Sequence, residues 1–149
     1  MLPDDVFRDR LEQTLVEVEK SIANMRNCAA VDVSASPRYW SVVVLPFLAA
    51  ACPFELIIKA DQKFSLKLAG EAFENRPVES FELFPHLVRA VEAGHVEKIS
   101  KFDAMTETLV AIEMRVELER GWDWLGERRI RPTTPAEEWR THRYLAYRR

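Results

Sequence analysis

The sequence has few of the residues from which catalytic and metal sites are usually recognised. Its 149 residues include two cysteines, three histidines and four glycines. Two cysteines exclude a disulfide framework and a four-cysteine zinc site. Four isolated glycines exclude the glycine-rich loops that bind the phosphates of nucleotides. The composition therefore points to no particular reaction.

The cysteines and histidines that are present lack a catalytic or metal-binding spacing. Cys28 and Cys52 have apolar neighbours, which favours inert buried thiols. His86 and His95 are nine residues apart, whereas a helical zinc pair needs one turn between its histidines, and His142 stands alone. No Gly-x-Ser-x-Gly motif is present. We therefore predict no metal ion and no cofactor, and the sequence leaves open whether the protein is an enzyme.

One short cluster of charged residues is a candidate for acid and base chemistry. Glu71, Glu74 and Arg76 surround Phe73. On a strand Glu71 shares a face with Phe73 while Glu74 points the other way, so the two carboxylates do not form a pair. A charged strand edge in contact with solvent is the simpler interpretation. A buried member of the cluster would instead be a functional candidate.

Long hydrophobic runs are also missing. The longest uncharged apolar run, residues 42–52, is shorter than the roughly 20 residues of a membrane span, and it contains Pro46. The N-terminus carries Asp4, Asp5 and Asp9 where a secretion signal needs a basic start and an apolar stretch. The expected location is therefore cytoplasmic, with no membrane partner.

The strongest pattern in the sequence is an alternation of apolar and polar residues from position 108 to position 119. A helix would spread the apolar set over more than half of its circumference, whereas a strand places the whole set on one face. The set consists of Val110, Ile112, Met114, Val116 and Leu118. The pattern predicts a strand with one buried and one solvated face, as in an antiparallel sheet.

A helical repeat occupies the N-terminus. Apolar residues at steps of three and four form one stripe and predict an amphipathic helix over residues 4–27. The stripe consists of Phe7, Leu11, Leu15, Val18, Ile22 and Met25. Two interpretations are open: the helix packs on the protein's own sheet, or it pairs with the same helix of a dimer mate. On the first interpretation, the alternating strand forms the floor on which the helix rests.

Further segments complete the predicted fold. Strands are expected at residues 30–35, 39–45, 54–59, 64–68, 72–75 and 96–102, and helices at 84–93 and from 134 or 135 to 143. The predicted class is α+β, with one domain. Its N-terminal amphipathic helix packs on a mainly antiparallel sheet of about six or seven strands. A second short helix lies between strand groups, and a basic tail follows.

Charge divides the chain into a core domain, residues 1–126, and a basic, aromatic C-terminal segment, residues 127–149. Seven arginines and three glutamates give this segment a charge of +4, so the total of −3 leaves −7 for the core. Tryptophan, tyrosine and arginine are residue types that carry interface energy. Trp122 and Trp124 are expected either to cap the core or to form the lip of a pocket. The candidate binding residues are Trp122, Trp124, Trp139, Arg140, Arg143 and Tyr144.

The order of predicted elements is similar to that of type III secretion chaperones, which are dimers that hold an extended segment of a client protein. The long basic tail departs from their plan, and fold order alone does not fix function. The first hypothesis is a non-enzymatic protein-interaction module, chaperone- or adaptor-like and homodimeric. It would bind a protein segment at a sheet edge or in the groove beneath its helix.

Two other functions are compatible with the sequence. One is a small-ligand binding protein or enzyme with a cavity between helix and sheet. The weaker one is nucleic-acid binding through the basic tail, because interleaved arginines and aromatic rings pair with phosphates and stack on bases.

Overall fold

The fold combines two helices with two antiparallel sheets. The computed structural model describes residues 1–148 and all of their side chains except that of Arg120, so Arg149 of the basic segment lies outside the described residues. The helices are α1 (Asp4–Met25) and α2 (Leu83–Glu92). The strands are β1 (Ala29–Ala35), β2 (Tyr39–Pro46), β3 (Phe54–Lys59), β4 (Lys63–Leu68), β5 (Glu71–Pro77), β6 (Val96–Asp103), β7 (Leu109–Glu117), β8 (Asp123–Arg129) and β9 (Glu137–Arg143). The predicted α+β class is confirmed.

The strands divide between two sheets. The first five form a meander in the order β1-β2-β3-β4-β5, and the other four have the order β8-β7-β6-β9. All paired neighbours in both sheets are antiparallel. Within residues 1–148 there are thus nine strands, two or three more than the sequence indicated. The additional strands are β8, which ends in the basic segment, and β9, which lies within it.

The prediction of a short third helix from residue 134 or 135 to residue 143 is wrong, because residues 137–143 form β9, which pairs with β6. All residues of β9 except Glu137 are exposed. A strand at the edge of a sheet, with both faces in contact with solvent, needs no apolar alternation, so periodicity did not reveal it. The basic segment is therefore folded onto its own sheet.

Helix α1 uses its apolar stripe within its own chain. Phe7, Val18, Ile22 and Met25 are buried, and the helix packs against α2 and β1. Asp4 lies in its first turn, where a carboxylate meets the positive end of the helix dipole. These contacts favour the first of the two interpretations of the stripe.

Strand β7 has the predicted buried side, on which Val110, Ile112, Met114 and Val116 lie. The helix that packs on this strand is α2, so the prediction that α1 rests there is wrong. Periodicity identifies which face of a strand is buried, but it does not identify the element that covers it. Because α2 is apolar on several sides, it packs against both α1 and β7.

The two sheets meet where β5 approaches β8. The rings of Phe73 and Trp124 lie edge to face with their centroids 5.3 Å apart. Gly126 allows this contact, because a Cβ at this position would lie 2.7 Å from Cδ1 of Phe73. The absence of a side chain thus permits the sheets to pack closely here.

The residues after β9 pack against the connection between β2 and β3 and against the end of α1. Leu145 forms a parallel bridge with Ala51, and Tyr147 is buried with its hydroxyl donating to the carbonyl of Cys52. The guanidinium of Arg148 donates to Asn27 and to the end of α1 at Asn24. Neither helix of residues 1–148 combines the length and apolar character that a membrane crossing requires.

Candidate binding edge and groove

Strand β1 has one side without a partner strand among the described residues. The amide of Phe47 donates to the carbonyl of Cys28, and the amide of Ser36 donates to the carbonyl of Tyr39. In an antiparallel ladder, hydrogen-bonded pairs alternate with pairs that are not hydrogen-bonded. The even-numbered residues of β1 therefore bond to β2, while the odd-numbered residues direct their amides and carbonyls outward. These outward residues are Ala29, Val31, Val33 and Ala35.

One side chain already uses this outward row. Nη1 of Arg26 donates to the carbonyl of Val31 at 3.4 Å. The Val31 carbonyl thus points outward and accepts a hydrogen bond, and a strand added at this edge displaces the exposed Arg26 side chain from it. The residues 29–35 with their outward amides and carbonyls are called the β1 edge below.

A groove begins at the end of the β1 edge, where Ala35 lines it, and lies between the N-terminal half of α1 and the turn from β1 to β2. Its volume is about 550 Å³. The helix contributes Phe7, Leu11 and Leu15, and the sheet contributes Trp40 and Ile58. Charged residues of both signs surround this apolar floor, namely Asp4, Arg8, Glu12 and Arg38.

The groove lies at the middle of the α1 stripe. Leu11 and Leu15 are only half-buried, whereas the flanking stripe residues Phe7 and Val18 are buried. Trp40 is fixed in the floor, because its indole Nε1 donates to the Glu19 carboxylate at 3.2 Å. The gap between helix and sheet thus leaves an apolar strip partly uncovered. A cavity between helix and sheet is one of the alternatives from the sequence. Trp40 lines this groove, whereas the neighbouring aromatic residues Phe54 and Phe64 are buried in the core.

The edges of the other sheet are more strongly charged. Strand β9 carries Glu137, Glu138, Arg140 and Arg143, and β8 carries four charged residues among its seven. Charged side chains on an edge strand discourage the addition of another strand. Strand β1 has one charged residue, Asp32, and neither lysine nor proline. It is therefore the least protected of these edges.

The structure separates the six candidate residues of the sequence into two groups. Trp122 and Trp124 lie at the start of β8, at one edge of the four-stranded sheet, and the other four lie at the opposite edge. Trp124 is buried against Phe73, so it caps the core. Trp122 is exposed, and its ring centroid lies 6.4 Å from that of His86.

The four candidate residues of the basic segment make contacts within the chain. Trp139 lies over the ammonium of Lys101, and Arg140 lies over the ring of Phe102, each 4.4 Å from the ring centroid. Arg143 pairs with Glu97, which raises the pKa of its guanidinium through a hydrogen bond. Tyr144 is half-buried, and desolvation raises the pKa of its hydroxyl.

An ion cluster occupies the outer face of the four-stranded sheet. Lys101 is buried, with its ammonium 2.9 Å from Glu127 and 3.8 Å from Glu113. The hydrogen bond from Lys101 is the largest cause of the lowered pKa of Glu127. Arg129 bridges Glu127 at 3.2 Å and Glu137 at 3.5 Å. The ion pairs of the cluster link β6, β7, β8 and β9, so the cluster stabilises the four-stranded sheet.

The expectation that the Glu71 cluster is a solvated edge is wrong for Glu71 itself. This carboxylate is buried, and it accepts from Nε of Arg128 at 2.9 Å with the ammonium of Lys98 at 3.8 Å. Glu74 is exposed on the other face, as predicted. Sequence alone did not place Arg128 and Lys98, which come from the other sheet. Glu71 therefore joins the two sheets electrostatically.

Other potentially reactive groups are inert or isolated. Cys52 is fully buried, and desolvation raises the pKa of its thiol to about 12. His86 lies near Arg89 and Glu119, with Nδ1 3.6 Å from the glutamate. Among residues 1–148, no three histidine, cysteine, aspartate or glutamate side chains come together as a potential metal site. The β1 edge and its groove are thus the surface features with a clear binding geometry.

Comparisons with protein-family models, curated proteins and solved structures found no significant match to this chain. The similarity to type III secretion chaperones therefore rests on the order of elements alone.

Sequence reasoning did not select the β1 edge or the leucines of the groove as binding residues. The available signal was the run of residues 29–35, which is nearly uncharged, next to a stripe with two leucines in its middle. Such a run is typical of a central strand as well as of an unprotected edge. Only the strand order distinguishes the two cases.

Proposed function

We propose that this protein is a non-enzymatic interaction module that binds an extended segment of another protein at the β1 edge. The observation that carries the proposal is the row of outward amides and carbonyls on β1, whose last residue, Ala35, lines an apolar groove. A strand added to an exposed edge gains affinity from main-chain hydrogen bonds, and pockets for alternate side chains give specificity. The β1 edge supplies the hydrogen bonds, and the groove between α1 and the sheet supplies the apolar pocket.

The shape of the groove supports a segment over a small molecule. Its rim includes Ala35 at the end of β1, and its apolar floor is built from α1, β2 and β3. An extended segment places every second side chain on the same face, so an apolar residue of the segment near Ala35 reaches this floor while the backbone pairs with β1.

The ion pairs of the basic segment give less support to nucleic-acid binding. Arg128 pairs with Glu71, Arg129 pairs with two glutamates, and Arg143 pairs with Glu97. An arginine that is held by a carboxylate must give up this pair before it neutralises a phosphate. A protein segment is therefore the proposed ligand.

The test is a selection from a displayed library of random twelve-residue peptides, followed by amide hydrogen exchange on the complex. We expect selected peptides to alternate apolar with polar residues. We also expect the amide protons of Val31 and Val33, which point away from β2, to exchange slowly only when peptide is bound. Their protection would report a main-chain hydrogen bond to the peptide.

Two matched proline variants distinguish the β1 edge from the β9 edge of the other sheet. Val33→Pro removes an outward amide without breaking the ladder to β2, and Thr141→Pro does the same on β9. We expect Val33→Pro to weaken peptide binding at least tenfold and Thr141→Pro to leave it unchanged. Circular dichroism checks that both variants fold. Failure of the library to yield any binder, or equal binding by both variants, would contradict the proposal.

A variant of the groove gives a second, independent measurement. Leu15→Asn places a polar amide in the half-buried strip without altering β1. We expect it to reduce affinity for peptides with bulky apolar residues more than affinity for alanine-substituted peptides. Unchanged discrimination would remove the groove from the binding site. The homodimer expected from the sequence stays a prediction, which light scattering on the full chain tests.

A further inference from the structure

Asp32 lies at the centre of the β1 edge and is the one charged residue in the seven residues of β1 and the eight of β2. Its neighbours Val31 and Val33 face the core, so its own side chain lies on the opposite, outer face of the sheet, where it is exposed. Among the described side chains, none that is cationic lies within 4.0 Å of its carboxylate.

The cation placed next to Asp32 along the edge is Arg26, which is held on the carbonyl of Val31 and makes no ion pair with the Asp32 carboxylate. On the outer face its neighbours along β1 are Ala30 and Ser34, and its cross-strand partner on β2 is Val43. An exposed carboxylate in an otherwise uncharged pair of strands is solvated while the edge is free. When another strand joins the edge, the residue opposite Asp32 becomes its nearest new neighbour.

We infer that the segment bound at the β1 edge carries a lysine or arginine opposite Asp32, with an apolar residue on each side of it. This inference rests on the proposed function. In an antiparallel addition, Val31 and Val33 form hydrogen-bonded pairs with the segment, so Asp32 lies in the closer, non-hydrogen-bonded position. An opposite charge directly across strands is favourable and a like charge is unfavourable.

The flanking residues are apolar for a geometric reason. If the residue opposite Asp32 lies on the outer face, the residues before and after it project to the face that holds Val31 and Val33. Both valines are half-buried and pack against the core, beside the α1 stripe. The recognised pattern is therefore apolar, basic, apolar. The net charge of −3 on the whole chain also favours the approach of a basic segment over a longer distance.

The same residue disfavours a second copy of β1 as the occupant. Antiparallel pairing of two β1 edges over their full length is centred on residue 32, which places the two Asp32 carboxylates directly opposite each other. Like charges in this position are destabilising. A shift of two residues separates the carboxylates but shortens the overlap. Asp32 thus selects a basic segment over self-pairing.

The probe is a set of fluorescein-labelled peptides with the central sequence valine-threonine-valine-X-valine-threonine-valine, where X is lysine, serine or glutamate. The sequence reads the same in both directions, so X is central in either orientation. Fluorescence anisotropy measures the dissociation constants. We expect the lysine peptide to bind wild-type protein about tenfold more tightly than the glutamate peptide, with serine between them. The ratio should shrink in high salt.

Three variants test whether Asp32 causes this order. Asp32→Asn should bring the ratio of lysine to glutamate affinities close to one, and Asp32→Lys should reverse it. Glu74→Lys is the matched control, because Glu74 is an exposed carboxylate on the outer face of the same sheet at its other edge, and it should leave the ratio unchanged.

The outcomes separate this inference from the proposed function. If no peptide binds, or if Val33→Pro binds as well as wild type, the proposed binding site fails and this inference fails with it. If peptides bind and Val33→Pro abolishes binding, yet all three central residues give equal affinity, the binding site stands and the basic preference alone is overturned.

Self-pairing has its own measurement. At about 100 μM, we expect the sedimenting mass of the Asp32→Val variant to be twice that of wild type, because its uncharged β1 edge can pair with a second copy. The Glu74→Val variant should keep the wild-type mass. An unchanged mass for Asp32→Val would overturn the role of Asp32 against self-pairing.

Discussion

The ammonium of Lys101 lies beneath the ring of Trp139, 4.4 Å from its centroid, across the neighbouring strands β6 and β9. Trp139 was expected in a binding surface, and here it covers the centre of an ion cluster. A cation over an indole ring is attracted by the ring electrons, most strongly when water is excluded. Lys101 is the buried partner of both Glu113 and Glu127.

Replacing Lys101 by methionine should destabilise the protein by about 1–2 kcal/mol at pH 7, because Glu127 loses its hydrogen-bonded cation and Glu113 loses an ion pair. Chemical unfolding measures this loss. Lys63→Met, at an exposed position, should cost less than about 0.5 kcal/mol. Equal losses for the two variants would contradict a stabilising role for the cluster.

The same substitution should change the pH dependence of stability. Lys101 holds the pKa of Glu127 below its ordinary value of 4.5, so the native state favours the ionised form. This stabilisation is present above pH 4.5 and disappears as the pH falls through the lowered pKa. The difference in stability between wild type and Lys101→Met should therefore shrink in acid. In an NMR titration of the variant, the pKa of Glu127 should move up, and an unmoved pKa would refute the assigned cause.

Alanine at position 126 should destabilise the junction of the two sheets by about 1–3 kcal/mol. Its Cβ would lie 2.7 Å from both Phe73 and Trp124, whose rings are packed in the core. Thermal unfolding of Gly126→Ala measures the cost, and the neighbouring exposed Leu125→Ala is the control. In a double-mutant cycle with Phe73→Leu, the two losses should be less than additive. Full additivity would show that the rings do not meet position 126.

Tyr147→Phe should cost about 1–2 kcal/mol, because it leaves the buried carbonyl of Cys52 without its hydrogen-bond donor. Tyr144→Phe, at a half-buried position, should cost less than about 0.5 kcal/mol. Denaturant unfolding of both variants measures the difference. A larger loss for Tyr144→Phe would contradict the role of Tyr147 as the anchor of the C-terminal residues.

The Cys52 thiol should resist labelling in the folded protein. With its pKa raised to about 12, the thiolate that reacts is scarce at pH 8, and the side chain is fully buried. In a Cys28→Ala variant, we expect a disulfide reagent to modify Cys52 at least about a thousandfold more slowly than a free thiol until denaturant is added. The Cys52→Ala variant reports on the half-buried Cys28, which should react faster. Rapid modification of Cys52 in native protein would contradict its burial.

Elements with a strong internal period were predictable. The stripe of α1 and the alternation of β7 depend on residues close in sequence, so the helix, the strand and its buried face followed from the pattern. Strand β9 was missed because an exposed edge needs no such pattern. The burial of Glu71 was missed because its partners, Arg128 and Lys98, come from distant parts of the chain.

The sequence by itself determined the class of the fold, the apolar side of α1 and β7, and the uneven charge, because each is a property of local residue order. Only the tertiary structure decided that α2 covers β7, that the basic segment pairs with β6, and that β1 lies at an edge. Strand order is set by which distant surfaces fit together, and this fit leaves no period in the sequence. The proposed binding edge belongs to this second group.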